Sequence, residues 1–94
     1  MHIDLVKNGV SQIVKAPQGK VSISVNSHND DWLGRTASIL TSLDGKDWVH
    51  IDDYRNPVNH NGVVPNLPGG LYYAMSPNNE DFTWFDAILQ VDAG

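Results

Sequence analysis

The chain has 94 residues, of which 40% are hydrophobic and 18% charged, with a net charge of −5 and no cysteine. That length suits one domain with one core, and the composition is too apolar for a disordered chain. The lack of cysteine excludes disulfides and thiolate metal sites. Six Lys and Arg against eleven acidic residues argue against nucleic-acid binding, which needs several cationic phosphate contacts.

The charge is unevenly placed. Residues 1–46 carry five basic and four acidic side chains, and residues 47–94 carry one basic and seven acidic. The acidic half serves solubility, and it also suits a partner with a basic surface. No stretch approaches the roughly 20 apolar residues of a membrane span. The opening MHIDLVKNGV has no apolar run of signal-peptide length. The expectation is a soluble protein made in a cytosol, with no membrane and no nucleic-acid partner.

The first element is a hairpin over residues 2–15. Two β-rich runs flank Asn8-Gly9, a pair that tolerates the positive φ required at both centres of a type I′ turn. A two-residue turn pairs Lys7 with Val10, Leu5 with Gln12 and Ile3 with Val14. Ile3, Leu5, Val10 and Val14 then share one face, with Val6 and Ile13 on the other. Pro17 and Gly19 break the chain. A half-buried strand follows, in which Val21, Ile23 and Val25 alternate with Ser22 and Ser24.

Residues 26–31 read as a polar loop. The next strand puts Leu33, Ala37 and Ile39 on one parity and Trp32 and Leu40 on the other, with Gly34 marking a bulge. Asp44-Gly45 then joins two alternating runs and reads as a hairpin turn by the same logic as Asn8-Gly9. On this reading Lys46 and Asp47 are solvated turn flanks and not catalytic groups. In the following strand Val49 and Ile51 alternate with Trp48 and His50.

Residues 54–69 hold three of the five prolines and read as a long irregular loop, a feature that is usually functional or packed against a neighbour. Residues 70–76 form a strand and 77–81 a turn. The last strand turns Phe85, Ala87, Leu89 and Val91 inward and Trp84, Asp86, Ile88 and Gln90 outward. No segment keeps a 3.6-residue period. The expectation is an all-β protein: a single antiparallel β-sandwich, or a jelly-roll-like small barrel, of about 7–8 strands in one domain.

Sites for chemistry are sparse. The four histidines form no closely spaced pair, so zinc would need distant loops. SHNDD (27–31) and NHNG (59–62) are rich in oxygen ligands but lack the EF-hand pattern and read as polar turns. The carboxylate pairs Asp30/Asp31, Asp52/Asp53 and Glu80/Asp81 fall in loops or at strand ends, without an apolar pocket to raise a pKa. No catalytic, cofactor or metal residue is assigned, and an enzyme is not expected.

Aromatics are the surplus. Three tryptophans in 94 residues are many, and core filling accounts for some of the aromatics. Strand parity puts Trp48 and Trp84 on faces opposite the apolar ones. Outward indoles suit a protein interface or a sugar-stacking platform. The expected partner-contacting residues are Trp32, Trp48, Tyr54, Arg55, Val63, Val64, Phe82 and Trp84.

Residues 20–92 also resemble small β-sandwich proteins of bacteriophage virions. The shared pattern is an S-x-DG-x-x-W hairpin followed by LP-x-G-x-Y, carried here by Ser42, Asp44, Gly45, Trp48, Leu67, Pro68, Gly70 and Tyr72. Tyr73 and Ala74 stand where that family often has Arg. The resemblance implies a head decoration (cement) protein on the virion surface, made in the host cytoplasm. It would bind the major capsid protein as a homo-oligomer, a trimer or dimer. The rival expectation is a carbohydrate- or receptor-binding module of a tail or adhesin.

Overall fold

Alternation of apolar and polar residues dictates two sheets that face each other, and the computed structural model has this arrangement. It describes residues 2–27, 36–55, 61–77 and 81–91. Among these described residues nine strands follow in order: β1 (His2–Lys7), β2 (Val10–Ser11), β3 (Val14–Lys15), β4 (Lys20–Ser27), β5 (Thr36–Ser42), β6 (Trp48–Arg55), β7 (Asn61–Pro68), β8 (Tyr72–Pro77) and β9 (Phe85–Val91). One sheet runs β2-β1-β9-β4-β7 and the other β3-β8-β5-β6, with every pairing antiparallel. The protein is a small β-sandwich, as expected.

The inward residues of β4, β5 and β9 follow the sequence pattern. Val21, Ile23, Val25, Ala37, Ile39, Phe85, Ala87 and Leu89 are all buried in one cluster. Burying each large aliphatic or aromatic side chain contributes about 1.5–3 kcal/mol, so these three strands supply a large share of the driving force, beside Leu5, Val6, Tyr73, Met75 and Trp84.

The N-terminal hairpin differs from expectation. Asn8 and Gly9 have φ of 52° and 79°, and Lys7 pairs with Val10, as the turn chemistry requires. Between Asp4 and Val6, however, β1 bulges against β9. The extra residue turns both Leu5 and Val6 into the core and carries Lys7 and its partner Val10 to the outside. The second arm then leaves the hairpin. Ile3 pairs with Leu89, and Val14 crosses to the other sheet to pair with Tyr73. One short arm thus ties the two layers together.

The expected loop at 54–69 is corrected at residues 54 and 55, which close β6, and over residues 61–68, which form β7 on the edge of the five-stranded sheet. An edge strand tolerates Pro65 and Pro68, because their missing N–H groups can face away from the ladder. A bulge opposite Val21 and Ile23, with Asn66 at φ 61°, takes up the extra residue. Val64 and Leu67 pack on the core rim.

Candidate functional site

The Asp44-Gly45 turn is built locally. β5 ends at Ser42, which pairs with Trp48, so five residues make the connection and not two. Gly45 has φ 79°, whereas Asp44 is not in the left-handed region, which corrects the analogy with Asn8-Gly9. Side chains hold the loop instead. The buried Ser42 hydroxyl donates to Asp44 Oδ1 (3.0 Å) and accepts from the Gly45 N–H (2.9 Å). Asp44 Oδ1 also accepts from the N–H groups of Lys46 (2.8 Å) and Asp47 (3.0 Å).

Those bonds, first from Asp47, then from Lys46 and Ser42, hold the Asp44 carboxyl below the usual aspartate range. A depressed carboxylate stabilises the fold above its unfolded pKa, and the contribution is lost as pH falls through the folded value. Asp44→Asn is therefore less stable than wild type at neutral pH, and the difference narrows as the solution is acidified below about pH 4. Urea midpoints at pH 7 and at about pH 3 test this; an equal gap at both refutes it.

The turn lies over Tyr72. A Cβ at Gly45 would be 3.7 Å from that ring, Lys15 Nζ is 5.7 Å from the ring centroid, and Thr41 donates its hydroxyl to the Tyr72 carbonyl (3.0 Å). Tyr73 points the other way, into the core, and donates its hydroxyl to the Pro68 carbonyl (2.5 Å). Burial pushes that phenol above its ordinary pKa. The two stretches Ser42–Trp48 and Leu67–Tyr72 thus meet at one end of the sandwich.

At this end an apolar cleft of about 270 Å³ opens between Leu43, Val49 and Leu71, with Asp44 and Asp47 at its rim. Leu43 is 86% exposed and Val49 61%. A lone exposed leucine is ordinary. Here the hydrogen-bonded turn holds one beside two further apolar side chains. A second depression of about 290 Å³ lies on the outer face of the five-stranded sheet, where Asp4, Lys7 and Asp86 surround Val63 and Ile88. Lys7 Nζ and the Asp86 carboxylate are 3.8 Å apart there.

On the outer face of the four-stranded sheet, Ser38 Oγ (3.0 Å) and His50 Nε2 (2.8 Å) both bond Asp53 Oδ1. The carboxylate sits between hydroxyl and imidazole. A serine triad needs the imidazole in the middle, so this order does not activate Ser38. Among the described residues no group of three or more His, Asp or Glu is placed to hold a metal.

The expected contact residues are scattered. Trp84 is fully enclosed, with its ring centroid 4.6 Å from that of Phe85, which corrects its outward placement. Asp81 Oδ1 accepts the N–H (2.9 Å) and the hydroxyl (2.5 Å) of Thr83, so the chain turns at 81–84 and β9 starts at Phe85. Alternation does not reach Trp84, and both rings enter the core. Phe82 is half-buried against the core and faces Phe85 at 6.3 Å. Val64 is a core-rim residue.

Trp48 is half-buried and Val63 exposed. Trp32 lies outside the described residues, as do His28, Asp30, Asp31, His60 and Glu80. Tyr54 and Arg55 are described only as positions at the end of β6. Leu43 and Leu71 were missed by sequence reasoning. The available signal was a leucine directly before an Asp-Gly turn, where turn chemistry favours polar residues.

No family model, curated protein or solved structure matches the chain.

Proposed function

We propose that this chain is a non-enzymatic binding module of a bacteriophage virion, a decoration protein that seats on the assembled capsid and clamps neighbouring capsid subunits. The observation that carries the reading is the apolar knob of Leu43, presented on a hydrogen-bonded turn beside Val49 and Leu71. A rigid turn that offers an apolar side chain loses little entropy on docking, which favours protein contact. The motif residues of the virion resemblance converge on this same end. A module that binds only the expanded shell stabilises it by mass action, and symmetry-repeated weak contacts add up through multivalency. The sugar-binding rival loses Trp84 as a stacking platform, because that ring is enclosed.

Co-sedimentation with purified expanded phage capsids tests the proposal. Wild type is expected to pellet with the capsids. Leu43→Asp is expected to weaken binding about 30-fold, the effect of losing a 2 kcal/mol anchor, with its thermal melt little changed. Undiminished binding by Leu43→Asp overturns the assignment of the knob. Failure of wild type to pellet, combined with a tryptophan-fluorescence response to a glycan panel, transfers the protein to the sugar-binding class.

A further inference from the structure

The four sheet edges are unequal. β2 and β3 have two residues each, and β7 carries Pro65 and Pro68. Short edges and prolines are standard protection against edge-to-edge pairing. β6 has eight residues and no proline, and among the described residues no strand pairs with its second edge. Val49 and Ile51 on it are 61% and 38% exposed.

We infer that β6 pairs with β6 of a second copy, antiparallel across a two-fold axis, in one specific register. The constraint comes from the bulge in β6. Ile39 pairs with Asp52 but Leu40 pairs with His50, so one extra residue sits between them. His50 and Asp53 therefore share the outer face, as their 2.8 Å contact requires, although residues three apart in a regular strand lie on opposite faces. A two-fold axis normal to the sheet keeps outer residues outer in both copies. It therefore allows registers in which position 50 faces position 53, and it forbids those displaced by one residue.

The allowed register with its axis between residues 51 and 52 overlaps all eight residues. It sets His50 of each copy against Asp53 of the other, twice by symmetry. Sliding two residues on one side puts Asp52, which pairs with the inward Ile39, against the outward Asp53, a mismatch of faces as well as a like-charge contact. Sliding to the other side sets Val49 against Asp52. Both shorten the overlap to six residues. WVHIDDYR is thus complementary to itself in the longest register that its bulge permits. Main-chain hydrogen bonds supply the affinity, as in other strand additions, and the charges select the register. The two Asp52 residues flank the axis and oppose the pairing, which keeps it reversible. This surface does not include Leu43, so its failure leaves the docking proposal intact.

The test is a charge exchange read by light scattering and sedimentation over a concentration series. Wild type is expected to show a concentration-dependent dimer. Asp53→Lys alone faces its introduced lysine with His50, and His50→Asp alone faces its introduced carboxylate with Asp53. Each is expected to raise the dissociation constant at least about tenfold. An equimolar mixture restores one attractive pair and keeps the other, so it is expected to return to within about threefold of wild type. Both side chains are solvent-exposed, so the fold tolerates the changes.

A second readout uses the absence of native cysteine. Oxidising a mixture of His50→Cys and Asp53→Cys chains is expected to give covalent dimers, and neither variant alone should do so. A monomeric wild type at every concentration overturns the inference. So does a dimer that ignores all these substitutions, or a mixture that remains monomeric.

Discussion

Replacing Trp84 with alanine is expected to lower the unfolding free energy by about 3–5 kcal/mol, the usual cost of deleting a buried tryptophan. Trp84 is fully enclosed, stacked at a tilt on Phe85, and among the largest buried side chains. A 94-residue domain holds about 5–14 kcal/mol in total, so this one truncation removes about a fifth of it or more. At roughly 4–8 °C per kcal/mol for a domain of this size, the melting temperature falls by about 20 °C. Trp48→Ala is the comparison. Its half-buried ring lies on an outer face, and its loss is expected to cost about 1 kcal/mol. Guanidinium titrations of both variants decide the matter. If Trp84→Ala is no worse than Trp48→Ala, the enclosed indole is not holding the core together.

The contrast between those two tryptophans shows what the sequence discloses. Where one strand runs without interruption, as at Val21–Val25 or Phe85–Leu89, period-two alternation named the buried face correctly. Where local side-chain chemistry fixes a turn, as at Asn8-Gly9, the turn and its flanking pair were also legible. Bulges were not. Each inserts one residue and inverts the parity of everything beyond it: Leu5 and Val6 both go inward, Val10 comes out, and His50 and Asp53 end on one face. The Asx turn at Asp81–Thr83 has the same effect on Trp84. A period-two template cannot register a local insertion, because its energetic reason lies in the partner strand.

The same limit applies to the site. The residues of the Asp44-Gly45 turn were visible as turn formers, and their hydrogen bonds follow from residue type. The cleft beside them was not visible. It depends on Leu71 arriving from a segment 28 residues away from Leu43, placed there by the pairing of β8 with β5. The β7 edge was hidden for a related reason. Prolines argue against a strand in general, and only its position at the end of a sheet removes the objection.

Gly69→Ala is expected to cost about 2–3 kcal/mol, at the upper end of what overpacking does, and more than the same change at Gly70 or Gly19. A Cβ at Gly69 would stand 2.2 Å from the carbonyl oxygens of Pro17 and Gly19 and 2.8 Å from the Gly19 nitrogen. All three are backbone atoms, so no side-chain rotation relieves the clash. The two segments are also laced together: Gly70 N–H donates to the carbonyls of Ala16 (3.0 Å) and Pro17 (3.1 Å), and Ala16 N–H donates to Leu71 (2.8 Å). Moving them apart to admit a methyl group stretches these bonds. At Gly70 the methyl meets only the flexible end of Gln18, and at Gly19 it meets nothing. Those two changes cost the left-handed backbone term, about 1–2 kcal/mol. Because residues 69–71 lead into the cleft, displacing them also shifts Leu71, so Gly69→Ala is expected to weaken docking along with stability. Denaturant midpoints ranking Gly69→Ala below both other variants support the interlock of the 16–19 turn with the β7–β8 corner; equal midpoints for all three mean that the close approach relaxes at little cost.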